Sequence, residues 1–99
     1  KIAMDQAATN LEEQKEKTFA EVQQKLNDYQ LAVEFLEKAT MLEPEDALII
    51  SHLGDAYWQT ERYAEAQFKW RYAAQLADDE DLQAELQTKL ASGLAATGQ

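Results

Sequence analysis

Cysteine is absent from the 99 residues, proline and histidine occur once each, and glycine three times. Without cysteine there is neither a disulfide scaffold nor a thiolate metal site. With so little proline and glycine, few positions oblige a helix to stop. Cations are scarce too: 9 Lys and Arg stand against 19 Asp and Glu, for a formal net charge of −10 at pH 7. Nucleic acid and anionic membrane surfaces attract clustered Lys and Arg through counterion release, so this balance opposes both as partners. No run approaches the roughly 18 apolar residues of a membrane span, and no basic-then-apolar leader opens the chain. A soluble protein is expected, cytoplasmic or periplasmic. Lys1 stands where an initiating Met would, which suggests a segment trimmed from a longer protein.

What is present is a globular composition, 45% hydrophobic and 28% charged, in a chain long enough for one core but not two. Apolar residues recur three and four apart: Phe19, Val22, Leu26; Leu31, Phe35, Leu36, Ala39, Leu42; Ile49, Ile50, Leu53, Ala56, Tyr57; Phe68, Trp70, Ala73, Leu76. That is the period of amphipathic helices, and no useful stretch alternates with period two. Breaks are expected at Asn27-Asp28, Glu43 to Asp46, Thr60 to Arg62, Asp78 to Asp81 and Gly98. The reading is all-α, with helices of about 12 to 15 residues and connections short enough to force antiparallel neighbours.

Set against itself at an offset of about 34 residues, the chain aligns Tyr29 with Tyr63, Ala32 with Ala66, Ala39 with Ala73 and Leu42 with Leu76, while Leu36 falls on Trp70. Ile50, Leu53-Gly54 and Tyr57, then Tyr63, Ala66, Trp70 and Ala73, follow the pattern of a helix-turn-helix unit of that period. In these residues the chain resembles tetratricopeptide-repeat proteins, and the stretches 52–58 and 68–71 are similar to bacterial members in particular. The resemblance implies antiparallel helix-turn-helix repeats stacked as a short right-handed α-solenoid. Two units fit, residues 13–46 and 47–80, preceded by a helical extension over 1–12 and followed by a capping helix over 81–97. The first unit departs from the pattern in its first helix, where Phe19-Ala20 replaces Leu-Gly, Glu16 a large apolar residue and Gln23 a Tyr. Ala20 and Gly54 are small where a second helix must come close, with Ala32 and Ala66 as small partners. Asn27-Asp28-Tyr29 is expected to turn the chain between the two helices of the first unit, and Pro44 to end the second.

The C-terminal helix has Asp79 or Asp81 as candidate caps and a stripe of Leu82, Leu86, Leu90 and Leu94, as the solvated end of an open stack requires. At the other end Asn10 and Glu13 could form a capping box, but Leu11, Lys15, Phe19 and Val22 also continue a helix begun near Met4, and one long helix is favoured.

Nothing in the chain points to catalysis. No Gly-rich phosphate loop, Ser-centred elbow or His-Glu-x-x-His spacing occurs, and no cofactor or metal site is expected. His52 is expected to pack between helices rather than act as a ligand, and Asp78 to Asp81 to cap a helix rather than hold calcium. Arg62, Lys69 and Arg71 are expected to pair with Glu61 and Glu65.

Binding remains. In the family, the first helix of each unit lines a concave groove for a peptide. Carried onto this sequence, the candidates are Gln14, Lys17, Glu21, Gln24 and Lys25 from the first unit, and Leu48, Ser51, Asp55, Trp58 and Gln59 from the second. Trp58 has two readings, a hot spot in the groove or a residue packed under the capping helix, while Trp70 aligns with Leu36 as core. Family members that clamp a C-terminal carboxylate use cations and Asn where this chain has Glu21, His52, Leu82 and Leu86, so an acidic tail of that kind is not expected as ligand. The mixed charges of the groove suit a basic or apolar peptide. The expected function is a non-catalytic protein-interaction module. The alternatives are a self-association unit, built by end-to-end stacking or helix swapping at edges such as Leu11 or Leu94, or the interaction tail of a larger protein.

Overall fold

The structure, a computed structural model, describes residues 2–94, with side chains described from Lys17 onward. The ends of the expected capping helix beyond 94, and the side chains of Leu11 and Gln14, lie outside the described residues. Four helices follow one another: α1 (Ile2–Leu42), α2 (Ala47–Gln59), α3 (Tyr63–Leu76) and α4 (Glu80–Ser92). Among the described residues there is no strand, and no helix is long and apolar enough to cross a membrane.

Local chemistry accounts for the three junctions between helices. α1 stops at Leu42 because Pro44 has no N–H to continue the ladder; Asp46 then caps α2, its Oδ1 accepting from the Ile49 N–H at 3.1 Å. Between α2 and α3 the chain reverses through Glu61, held at φ +66°. A non-glycine residue there costs about 1 kcal/mol, and a dense set of bonds fixes it. The Arg62 N–H donates to the Tyr57 carbonyl at 2.8 Å, and the Thr60 hydroxyl donates to the Ala56 and Tyr57 carbonyls at 3.1 and 3.0 Å. The Arg62 guanidinium also lies 4.3 Å from the Tyr57 ring centroid. α4 opens on Asp79, whose Oδ2 accepts from the Leu82 N–H at 2.8 Å, so one member of the acidic run does serve as a cap. The Gln83 amide reaches back to the Ala74 and Ala77 carbonyls and satisfies the end of α3.

The core runs through Val33, Ile50, Leu53, Ala56, Tyr57, Ala66, Trp70, Ala73 and Leu86. Its tightest point is the crossing of α2 and α3. A Cβ on Gly54 would stand 2.6 Å from the Trp70 ring and 3.1 Å from the Ala66 carbonyl oxygen, so only glycine lets the helices meet here. Leu82, Leu90 and Leu94 pack on this core from α4.

The turn predicted at Asn27-Asp28-Tyr29 does not form: α1 continues through it, and through Asn10, for 41 residues. The second unit shows why. At an offset of about 34, Thr60, Arg62 and Tyr57 correspond to Leu26, Asp28 and Gln23, which can make neither the hydroxyl bonds of Thr60 nor the guanidinium–ring contact of Arg62 with Tyr57. Gln24 instead donates to Asp28 Oδ1 at 3.0 Å, an (i, i+4) bond that spans the expected break and favours straight helix. The first unit is therefore a rod rather than a hairpin. Only its C-terminal half packs on α2, and the molecule measures 65 × 26 × 20 Å with a radius of gyration of 18.7 Å. A compact chain of this length would have about 13 Å.

Candidate functional site

α2 buries Ile50, Leu53, Ala56 and Tyr57. Leu48, His52, Asp55 and Gln59, spaced four, three and four apart, form its other long face. α4 follows α3 back alongside α2 and sets Glu85, Thr88 and Ser92 opposite that face. The two helices enclose a groove of about 520 Å³ lined by His52, Asp55, Glu85, Thr88, Lys89, Ser92, Gly93 and Leu94.

Lys89 fixes its floor. The residue is only 8% exposed, and its ammonium lies 2.9 Å from Asp55 Oδ1, 3.1 Å from Ser51 Oγ and 3.2 Å from Glu85 Oε2. Asp55 Oδ1 also accepts from the Trp70 Nε1–H at 3.0 Å, so the carboxylate joins the buried α2–α3 crossing to α4. A buried cation with three oxygen partners is saturated; it orders the groove rather than waiting for a ligand. His52 and Glu85 form the exposed rim, each with a little over half its side chain in solvent.

The residues singled out from the sequence are scattered by the straightening of α1. Leu48 is exposed, and Asp55 and Gln59 are half-buried on the α2 face that borders the groove. Ser51 is buried and committed to Lys89. Trp58 is half-buried, its ring 4.5 Å from Tyr63 and 5.5 Å from Trp70. Gly93, at the end of α4 with φ +72°, has no room for a Cβ because the Trp58 ring fills that space. Lys17, Glu21 and Gln24 are exposed on the free part of α1. Lys17, Glu21 and Gln24 lie about 20, 14 and 9 Å along α1 from Gln30, which sits beside Thr60 at the end of α2, and none of the three lines the groove between α2 and α4. His52, expected between helices, is at the surface instead, 3.8 Å from Asp55 Oδ2. Trp70 is at 0% exposure, in the core as expected.

Sequence reasoning missed Lys89, Thr88 and Ser92. The Leu stripe of α4 drew attention to its packing face, and Lys89 lies within that face, next to Leu86 and Leu90. A signal was available: Lys89 is the one cation in the sequence after Arg71, with Glu85 four residues ahead.

On the opposite side of α2 a second polar cluster ties the helices together. The Tyr57 hydroxyl donates to Glu37 Oε2 on α1 at 2.6 Å; burial and that carboxylate push the phenol up to about 12. Arg62 forms a two-pronged bridge to Glu65, at 2.8 and 2.6 Å, which raises the guanidinium and lowers the carboxyl. Lys69 and Arg71 are not drawn into that bridge; the Lys69 ammonium lies 5.8 Å from the Phe68 ring. Among the described residues no three His, Asp or Glu side chains converge as metal ligands.

Comparison with known families matches residues 18–46 to the tetratricopeptide repeat. The match falls on the first unit rather than on the second, whose residues follow the family pattern more closely. No curated protein and no solved structure matches the chain. The repeat match over residues 18–46 and the four-helix, all-α architecture are together consistent with a tetratricopeptide-repeat-like protein.

Proposed function

We propose that the chain is a non-catalytic interaction module that holds a peptide segment of a partner protein in the groove between α2 and α4. The observation that supports this is the groove itself, open along its length and set on a floor that the Lys89–Asp55 pair makes rigid. A preorganised surface loses little entropy when it binds, which is the property an interaction site needs. Its chemistry indicates the ligand. Lys89 is neutralised by Asp55, which leaves Glu85 as the exposed charge at the rim, on a chain of net charge −10. Leu48 and Leu94 add apolar surface at its two ends. A segment mixing basic and apolar side chains is complementary; an acidic tail is repelled.

Selection of a random peptide display library on the chain, followed by fluorescence anisotropy of the recovered peptides, tests the reading. Lys and Arg beside apolar residues are expected. Glu85→Gln is expected to weaken binding about threefold, the scale of one exposed charge pair. Peptides enriched in Asp and Glu, or indifferent to both Glu85→Gln and His52→Ala, would refute it.

A further inference from the structure

The second helix of the first unit lacks the cover that its counterpart has. In the second unit Ala66, Trp70 and Ala73 are all at 0% exposure, because α2 covers α3 from one side and α4 from the other. The equivalent residues of α1, Ala32, Leu36 and Ala39, stay half-buried, with α2 on one side only. Farther along the same rod, Phe19, Val22 and Leu26 stand in water at 71%, 52% and 40% exposure. The helix that should cover the first group is the one that carries the second.

That helix cannot reach its place within one chain. Gly54 packs on Trp70, and Trp58 on Tyr63; shifted back by the repeat period these pairs become Ala20 with Leu36 and Gln24 with Tyr29. Along a straight α1, Ala20 and Leu36 are about 24 Å apart. Folding back would need a turn at Asn27, which the Gln24–Asp28 bond opposes and which no counterpart of Thr60 or Arg62 supports. A second copy of the chain satisfies both pairs. Those two pairings, carried back from the α2–α3 crossing, centre an antiparallel register within about two residues of Asn27-Asp28. Two copies related by a two-fold axis near that point run antiparallel, bringing the exposed Phe19, Val22 and Leu26 of each onto the half-buried face of Ala32, Leu36 and Ala39 of the other, each contact made twice. A two-fold interface requires this self-complementarity.

We propose that the chain is an arm-exchanged homodimer, in which residues 17–26 of each α1 take the place of the missing first helix against residues 29–42 of the other copy. This stands independently of what the α2–α4 groove binds.

Sedimentation equilibrium of the 99-residue chain at tens of micromolar is expected to give twice the 11.2 kDa chain mass. Leu26→Lys, at a position already 40% exposed in the single chain, is expected to return the mass to that of one chain with its helical circular dichroism retained. The absence of cysteine permits a test of geometry. Gln23→Cys and Gln30→Cys, both at exposed positions, are mixed as single variants and treated with a short bis-maleimide. Cross-linking of one variant to the other is expected to dominate. A single-chain mass for the wild type at 100 µM, or products in which each variant links mainly to itself, would overturn the proposal.

Discussion

Gly54→Ala puts the α2–α3 crossing to a direct test, because two effects of opposite sign compete there. In an unconstrained helix interior, alanine in place of glycine stabilises by about 1 kcal/mol. Here the added methyl would stand 2.6 Å from both Cδ1 and Nε1 of Trp70 and 3.1 Å from the Ala66 carbonyl oxygen. The indole has no free volume to retreat into: it is at 0% exposure, its Nε1–H donates to Asp55 at 3.0 Å, and Trp58 lies 5.5 Å away. Relief must come from moving the helices apart, at the roughly 1 to 3 kcal/mol of an overpacked core, together with about 1 kcal/mol for a weakened buried hydrogen bond. The clash outweighs the propensity gain, and a net loss of about 1 to 3 kcal/mol is expected. For a domain of this size that lowers the melting temperature by about 5 to 20 °C. Thermal unfolding followed by circular dichroism at 222 nm reads it, and Trp fluorescence reports whether Trp70 has moved. A melting temperature equal to or above that of the parent would refute the close approach of α2 and α3 at this point.

Two further predictions concern the polar clusters. Lys89→Met keeps the aliphatic stem but leaves Ser51 and the half-buried Asp55 without their cation, so a loss of about 2 to 3 kcal/mol in urea unfolding is expected; with Asp55→Asn added, the loss should fall well short of the sum of the two single changes, and strict additivity would show that the pair is not coupled. Tyr57, raised to about 12 in the folded chain against an ordinary value of 10.0, binds its proton more tightly folded than unfolded; its contribution is complete below pH 10 and is lost as the pH rises toward 12, so stability should decline across that window, and less steeply in Tyr57→Phe.

Much of the fold is legible from residue spacing alone, and the part that is not has a physical cause. The all-α reading, the end of α1 before Pro44, the caps on α2 and α4 and the burial of Trp70 all follow from local chemistry or from a sustained helical period. The failure at Asn27-Asp28-Tyr29 is of another kind. Asn and Asp are frequent turn formers, and Asn tolerates a positive φ better than the Glu61 that adopts one in the second unit. What turns the chain at Glu61 is the set of bonds from Thr60 and Arg62, with Tyr57 beneath. The turn depends on residues one position away on either side and four positions back more than on the residue that bends. Where Leu26, Asp28 and Gln23 replace them, helix propensity and the Gln24–Asp28 bond prevail. Comparing the two units position by position, rather than reading Asn27-Asp28 by itself, would have shown the difference.

The groove was half legible for a related reason. Placing the first helices of successive units side by side selects Leu48, Asp55 and Gln59 on α2, of which Asp55 lines the groove. The other wall was sought on α1, from Lys17 to Gln24, whereas it is α4 that lies beside α2. α4 stands where a third unit would begin. Lys89 ties it to α2 electrostatically, with a long stem and a charge that reaches Asp55 and Ser51. The same aspartate accepts from Trp70, so the contact that closes the α2–α3 crossing and the one that docks α4 share a single carboxylate. α4 is docked by its Leu stripe and by this ion pair, and through the shared Asp55 changes at the Gly54–Trp70 crossing should reach the groove.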